Sequence, residues 1–303
     1  MRRLKNAFAI VFFLLMGVSF PLAQASTYLL PPPGDNLVGA IQSVTARHED
    51  TLSDIARQYD LGYDQITAAN PEVDPWLPGE GTRIVLPTEY VLPDVPRQGM
   101  VINLAAMRLF YYPPVQAGQA PEVITYPIGV GREGWGTPLG KTRITAKLVD
   151  PSWTPPESIR KEHAENGDPL PAVVPAGPDN PLGQFALRLA LPGYLIHGTN
   201  KPWGVGMHVS HGCIRLYPED IAALFAQVPV GTPVLIVNQP WLLGLDNGHD
   251  YLQIFSQTSE PPEPQIQKAF SAWLARHLPP GKAIDSSIAQ RWLKAANGIP
   301  EPL

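Results

Sequence analysis

The sequence predicts a mainly β domain, sandwich or barrel-like, preceded by a small βααβ module and followed by a helical tail. Three observations carry this. From Met100 to Val149, apolar or alternating runs of strand length follow one another with no window of helical period between them. Between Ser43 and Pro87, a short strand, two short helical patterns and a returning strand succeed one another. Past Asn238, helical periodicity reappears over Gln265 to Leu278 and over Ser286 to Ala296.

Residues 1–25 read as a cleaved secretory signal. Arg2, Arg3 and Lys5 precede an apolar run from Ala7 to Val18, too short for a comfortable membrane span, and Ala23-Gln24-Ala25 is a small-x-small site before Ser26. The whole chain has 303 residues and a formal charge of −5, and losing those three cations takes it to −8. That balance argues against nucleic acid or an anionic membrane surface as partner. No membrane span is expected after cleavage, and export points to the periplasm.

Residues 26–42 form an extended leader, because Pro31-Pro32-Pro33-Gly34 forbids helix or central strand. In the module, residues 43–88, Thr51 with Asp54 makes a capping-box-like start for a helix that keeps Leu52, Ile55, Ala56 and Tyr59 on one face. Leu61-Gly62 breaks it, a second helix runs through Ile66 to Ala69, and Arg83 to Pro87 returns as a strand. Proline from Pro87 to Pro96 suggests a separable junction.

The β domain is expected over 97–238, with strands at Met100–Leu104, Met107–Tyr112, Glu122–Val130, Lys141–Val149, Phe185–Ala190, Tyr194–Thr199 and Thr232–Val237. Asp150 to Gly183 interrupts it with eight prolines and room for one short helix, Glu157 to Glu165. So long and stiff a loop suits a lid or groove wall. Pro218, with Glu219 and Asp220 behind it, starts a helix that turns Ile221, Leu224, Phe225 and Val228 to one side. Residues 239–303 make the helical tail, whose Phe270, Trp273, Leu274 and Trp292 call for cover from the β domain.

Chemistry concentrates between Tyr194 and Leu216. This stretch holds the chain's one cysteine, Cys213, and three of its seven histidines, His197, His208 and His211. One cysteine allows no internal disulfide, so in an oxidising compartment the thiol must be buried, bridged between chains or put to use. A free thiol is only a few per cent thiolate at neutral pH and needs a base or a positive field. In an extended chain His211 and Cys213 point to the same side, while Leu195 to His197 can pair alongside and bring His197 to face the sulfur. Gly212 removes a side chain beside the nucleophile and lets a substrate carbonyl approach the backbone N–H groups of Gly212 and Cys213, an oxyanion hole in outline. His208 reads as a loop residue. A zinc site from these histidines and Cys213 is the simpler chemistry's competitor, but the chain has neither C-x-x-C nor H-E-x-x-H, and no metal or cofactor is expected.

Two resemblances follow. Asp50-Thr51-Leu52 with Ile55-Ala56 and Tyr59, then Ala69-Asn70-Pro71, then Ile84-x-Leu86-Pro87, resembles the LysM module. The family's usual glycine before D-T-L is Glu49 here. LysM modules bind N-acetylglucosamine-containing glycans, which implies tethering to the cell wall. H-G-T-N-K-P-x-G-x-G-x-x-V-S-H-G-C-I-R-L resembles the active-site signature of the L,D-transpeptidases, the YkuD-type catalytic domain, over roughly Arg97 to Asn238. The whole arrangement is similar to the periplasmic branch that attaches a Braun-type lipoprotein to peptidoglycan or cross-links its stems, in cell-wall biogenesis and the maintenance of cell shape.

By that resemblance Cys213 is the nucleophile and His197 the general acid and base. Ser210, His211 and Gly212 line the site, and Thr199 and Arg215 join Ser210 on the substrate side. The implied reaction passes a peptidoglycan tetrapeptide stem through a cysteine thioester to an amine, either a lipoprotein lysine or another stem's diaminopimelate. The alternative with the same residues is an L,D-carboxypeptidase-type hydrolase, in which water takes the stem.

Overall fold

The computed structural model describes residues 25–256 and 264–303, and the signal segment lies almost wholly outside them. Among the described residues no helix is long and apolar enough to cross a membrane. The fold class is the expected one, mainly β around a curled sheet. In spatial order the nine strands are Ser26–Leu29, Glu122–Pro127, Arg108–Tyr112, Gly99–Asn103, Pro233–Val237, Gly140–Val149, Phe185–Leu189, Leu195–His197 and Ile214–Arg215. Neighbours run antiparallel except at two places, Gly99–Asn103 beside Pro233–Val237 and Leu195–His197 beside Ile214–Arg215. The second parallel pair carries the site. Ile102, Leu109, Tyr126, Ile144, Leu187, Ile196, Ile214 and Ile236 fill the core on one face.

The module has the βααβ order read from its sequence. Gln42–Thr45 pairs antiparallel with Arg83–Leu86, and α1 (Leu52–Gln58) and α2 (Tyr63–Ala69) lie between them. Thr51 Oγ1 accepts from the Asp54 N–H and the Asp54 carboxylate accepts from the Thr51 N–H, each at 3.2 Å. A cap of this kind contributes about 1 kcal/mol to a helix start. Asn70 is buried; its Nδ2 donates to the carbonyls of Ile66 and Val85, and its Oδ1 accepts from the Val85 N–H, all at 2.8 Å. One amide therefore fastens the end of α2 to the returning strand.

Contacts cross the junction read at Pro87 to Pro96. The leader supplies an edge strand, Ser26–Leu29, to the nine-stranded sheet, and Leu37–Gly39 pairs with Glu89–Val91. The module itself docks through Arg108, a buried guanidinium on the central sheet. Its Nη2 donates to the Asp60 carbonyl at 2.6 Å and Nη1 to Thr125 Oγ1 at 2.8 Å, and the group lies over the Tyr90 ring.

The excursion from Asp150 to Gly183 contains its one expected helix, α3 (Glu157–Glu165). Its folding hinges on Asn180, 1% exposed, whose Nδ2 donates to the carbonyls of Pro151 and Pro175 at 2.9 Å. Trp153 and Val174 exchange backbone hydrogen bonds at 2.8 Å, so the stretch is closed on itself. After the site, α4 (Pro218–Gln227) starts with proline in its first turn.

The tail departs from expectation twice. Both helices are present, α5 (Pro264–His277) and α6 (Ser286–Ala295), but a hairpin of Trp241–Asp246 and His249–Ile254 precedes them. Its turn residues Asn247 and Gly248 both have positive φ, 50° and 82°. The tail also builds its own core from Leu252, Ile254, Phe270, Leu274, Ala289 and Leu293, and rests on the leader rather than on the face of the large sheet. Asn36 bonds to Leu243 and Leu245, and the buried Gln253 accepts from the Val91 N–H at 2.8 Å.

Candidate active site

Pairing explains how the site assembles. Ile196 stands opposite Ile214 and His197 opposite Arg215. Residues in register on adjacent strands share a face, and Cys213, two before Arg215, belongs to that face where the chain enters the strand. The pairing thus sets His197 beside Arg215, and Arg215 acts electrostatically on both His197 and Cys213.

His197 is 5% exposed, and its Nδ1 lies 2.6 Å from the carbonyl oxygen of Gly198. A carbonyl can only accept, so Nδ1 carries the proton toward Gly198, and the Leu182 carbonyl is a second backbone acceptor for the ring. Burial pushes the imidazole down to about 4, and the Arg215 cation adds to this. Cys213 is half-buried, with Sγ 3.7 Å from the Gly193 carbonyl. Burial pushes its thiol up, with the Leu195 backbone and Arg215 opposing. Both shifts favour neutral forms, so the resting pair at neutral pH is thiol and imidazole.

Arg215 is itself a largely buried cation. Burial pushes its guanidinium down and Cys213 opposes this, and its buried Nε has no hydrogen-bond partner. A guanidinium fork of this kind suits a carboxylate.

The turn before Cys213 corrects the extended reading of this segment. Gly212 has φ +99°, so the chain bends between His211 and Cys213 and their side chains part. A Cβ on Gly212 would stand 2.9 Å from Tyr194 Cε1, so glycine is required by space as well as by conformation. The oxyanion outline also changes. The Gly212 N–H donates to Ser210 Oγ at 3.1 Å, and Ser210 Oγ donates in turn to the Cys213 carbonyl at 2.6 Å. That leaves the Cys213 N–H of the two expected donors. Thr137 closes the turn by donating to the Gly212 carbonyl at 2.8 Å.

His211 is held from the far side. Its Nε2 is 3.1 Å from Glu162 Oε2 and 3.1 Å from Arg132 Nη2, and Glu162 and Arg132 are themselves ion-paired. Nε2 donates to Glu162 in one tautomer and accepts from Arg132 Nη2 in the other. Trp135 meets the ring edge-on at 4.8 Å. Burial pushes the His211 imidazole down and Glu162 opposes this. Glu162 lies on α3, so the proline-rich excursion reaches His211 through this side chain, while its end reaches His197 through the Leu182 carbonyl.

Of the other expected residues, Ser210 spends its hydroxyl on the turn. Thr199 is buried, and its hydroxyl accepts from the Lys201 N–H at 2.9 Å. His208 is exposed, near the Gly131 carbonyl. Among the described residues no three of His, Cys, Asp and Glu group as a metal site. Arg132, Trp135, Glu162 and Gly193 were not singled out from the sequence. Only Arg132 and Trp135 gave a hint, lying in the glycine-dense segment Gly129 to Gly140.

The L,D-transpeptidase catalytic-domain family matches residues 97–236, and the LysM domain matches 44–87. The chain is 40% identical over 286 residues to "Probable L,D-transpeptidase YcfS" of Escherichia coli strain K12, covering 92% of this chain and 88% of that protein. The chain belongs to the L,D-transpeptidase family. The transpeptidase is also 42% identical over 261 residues to "Probable L,D-transpeptidase YbiS" of the same strain, covering 85% and 83% of the two chains. With "Probable L,D-transpeptidase ErfK/SrfK", again of that strain, it shares 46% over 219 residues, or 71% and 69%. The docked module of this transpeptidase is therefore a LysM domain.

Proposed function

We propose that the enzyme carries peptidoglycan tetrapeptide stems on Cys213 as a thioester and hands them to an amine. The observation that supports this most is the register that sets His197 opposite Arg215, with Arg215 acting on both His197 and Cys213. His197 takes the thiol proton as sulfur attacks the carbonyl joining diaminopimelate to the terminal D-alanine. The carbon–nitrogen bond breaks, the proton passes to the departing D-alanine amine, and the thioester remains. An acceptor amine then attacks, gives a proton to His197, and displaces the sulfur, which recovers that proton.

A neutral resting pair suits this route, since proton transfer and attack occur together when substrate excludes water. Arg215, with its Nε unpartnered, suits a carboxylate of the stem. The Cys213 N–H is the nearer donor for the oxyanion, with Ser210, Gly212 and Thr137 fixing its turn. The acceptor is a lipoprotein lysine or a neighbouring stem, and the LysM domain binds the glycan of the same wall. Export to the periplasm brings the enzyme to that substrate.

Mass analysis of products tests this. Tetrapeptide-bearing wall fragments should add to Cys213 with loss of D-alanine, and a lipoprotein C-terminal peptide or a second stem should then appear joined to the donor. Free tripeptide stems alone would make the enzyme a hydrolase, and no adduct on Cys213 would remove the thioester.

A further inference from the structure

A buried charge cluster lies between the LysM domain and the catalytic sheet, away from the reacting thiol. It holds two carboxylates, Asp60 and Asp220, and one guanidinium, Arg108, each 3% exposed or less. Arg108 Nη1 is 3.8 Å from Asp60 Oδ2. Asp60 Oδ1 and Asp220 Oδ2 are buried with no hydrogen-bond partner. The two unmet oxygens leave the cluster short of hydrogen-bond donors. Burial pushes Asp60 up to about 6 and Asp220 well above the usual carboxylate range, with Asp60 adding to the rise at Asp220.

One more group points at this cluster. The Ser26 backbone nitrogen donates to Asp60 Oδ2 at 2.9 Å. Ser26 is the residue that follows the small-x-small site Ala23-Gln24-Ala25. In the uncut chain its nitrogen is a neutral amide with one hydrogen. Hydrolysis of the Ala25–Ser26 bond by an exporting cell's processing endopeptidase adds water: Ala25 leaves as a carboxylate, and the Ser26 nitrogen becomes an α-amine that binds a proton.

We infer that Asp60 is the receptor for the α-ammonium of the processed chain, and that cleavage before Ser26 completes the buried cluster and locks the LysM domain onto the catalytic sheet. The new cation gives Asp60 Oδ2 a charged donor in place of a neutral amide. Its position is fixed by the strand Ser26–Leu29, whose first residue is in register with Thr125, the hydroxyl that Arg108 also holds. Asp60 sits in the turn between α1 and α2. The same turn receives the Tyr217 hydroxyl on the Leu61 carbonyl at 3.1 Å, and Tyr63 and Asp64 at the start of α2 donate to Val205 and Gly206 of the signature segment.

The inference rests on the export and cleavage proposed above, and the test separates the two. Intact mass of protein exported from cells expressing the full chain should give Ser26 as first residue; a different first residue overturns the cleavage site and the inference with it. Protein beginning at Ser26 is then compared with protein that retains Ala25 and with protein acetylated on Ser26. Both altered forms should melt several degrees lower, and Asp60→Asn should erase the difference. Should Asp60→Asn fail to fold, reductive methylation of the Ser26 amine in the wild-type chain gives an independent reading. The folded protein is expected to react about tenfold or more slowly than the urea-unfolded chain, as a raised amine pKa and burial require. A Ser26 start with equal melting of all three forms and an unprotected amine would leave the export intact and sink the ammonium site.

Discussion

Gly62 of the LysM domain and Gly206 of the signature segment meet backbone to backbone: a Cβ on Gly62 would stand 2.7 Å from the Gly206 Cα. Around this contact the Tyr63 N–H donates to the Val205 carbonyl at 3.2 Å and the Asp64 N–H to the Gly206 carbonyl at 3.0 Å. The LysM domain is thus a wall of the segment that leads into Ser210 and Cys213. Gly62→Ala must push the two apart, and overpacking of this kind costs about 1–3 kcal/mol. Denaturant melting should show that loss, and thioester formation should slow because the signature segment shifts. Unchanged turnover in the destabilised variant would confine the contact to stability.

The pH dependence of stability should carry the mark of His197. Its imidazole is held down to about 4 in the fold, against about 6.5 in the unfolded chain. Between those values the unfolded chain binds the extra proton, so stability is full above about 6.5 and falls as pH drops toward about 4. The loss is on the order of 3 kcal/mol. His197→Gln should flatten that part of the curve and lower turnover at least about 100-fold, the usual scale of general-base loss. A variant that keeps turnover would transfer the base's role to His211.

The latch from α3 to His211 gives a test for the proline-rich excursion. Glu162→Ala removes both the Arg132 ion pair and the carboxylate beside His211 Nε2. Release of α3 should open the site to water, raise free tripeptide relative to transferred product, and make residues 155–181 easier to cut with protease. An unchanged product ratio, with cutting enhanced, would make the helix a surface feature with no part in excluding water.

Truncation to a chain starting near Asp94 is expected to fail as a catalyst. It would strip the edge strand from Glu122–Pro127, remove Asp60 and Gln65 from Arg108, and uncover Tyr217. Breaking a buried ion pair by deleting one partner costs about 3–5 kcal/mol. Solubility and thioester formation on Cys213 would report this together, and a soluble truncated chain that still forms thioester would restore a freely tethered LysM domain.

What the sequence made legible follows from the range over which each signal acts. The capping box at Thr51 and Asp54, the stop at Asn70-Pro71 and the helix at Glu157–Glu165 are all local, and each is where its residues said. The pairing of Leu195–His197 with Ile214–Arg215 was legible because two short strands in one sequence window had few other ways to pair. Glu162 was not, since nothing local distinguishes it from the other charges of α3, and its role exists only once the excursion folds back. Gly212 was recognised for its missing side chain but placed in an extended chain; its positive φ is set by contacts with Tyr194, Trp135 and Gly136, distant in sequence. The Asn247-Gly248 hairpin was a different case. Its turn chemistry was on the page, with alternating residues on both sides, and helical periodicity downstream drew the reading away from it.

The protonated resting state of Cys213 has a consequence beyond acyl transfer. Peroxide and disulfides react with thiolates, not thiols, and the first oxidation product of an exposed thiolate is the sulfenic acid that starts an irreversible descent. The chain's one cysteine has no resolving partner in its own chain to halt it. Burial that pushes the thiol up, with an imidazole kept neutral beside it, holds the sulfur in its unreactive form until a stem fills the site. The environment that makes the nucleophile wait for its substrate is thus also its antioxidant shield.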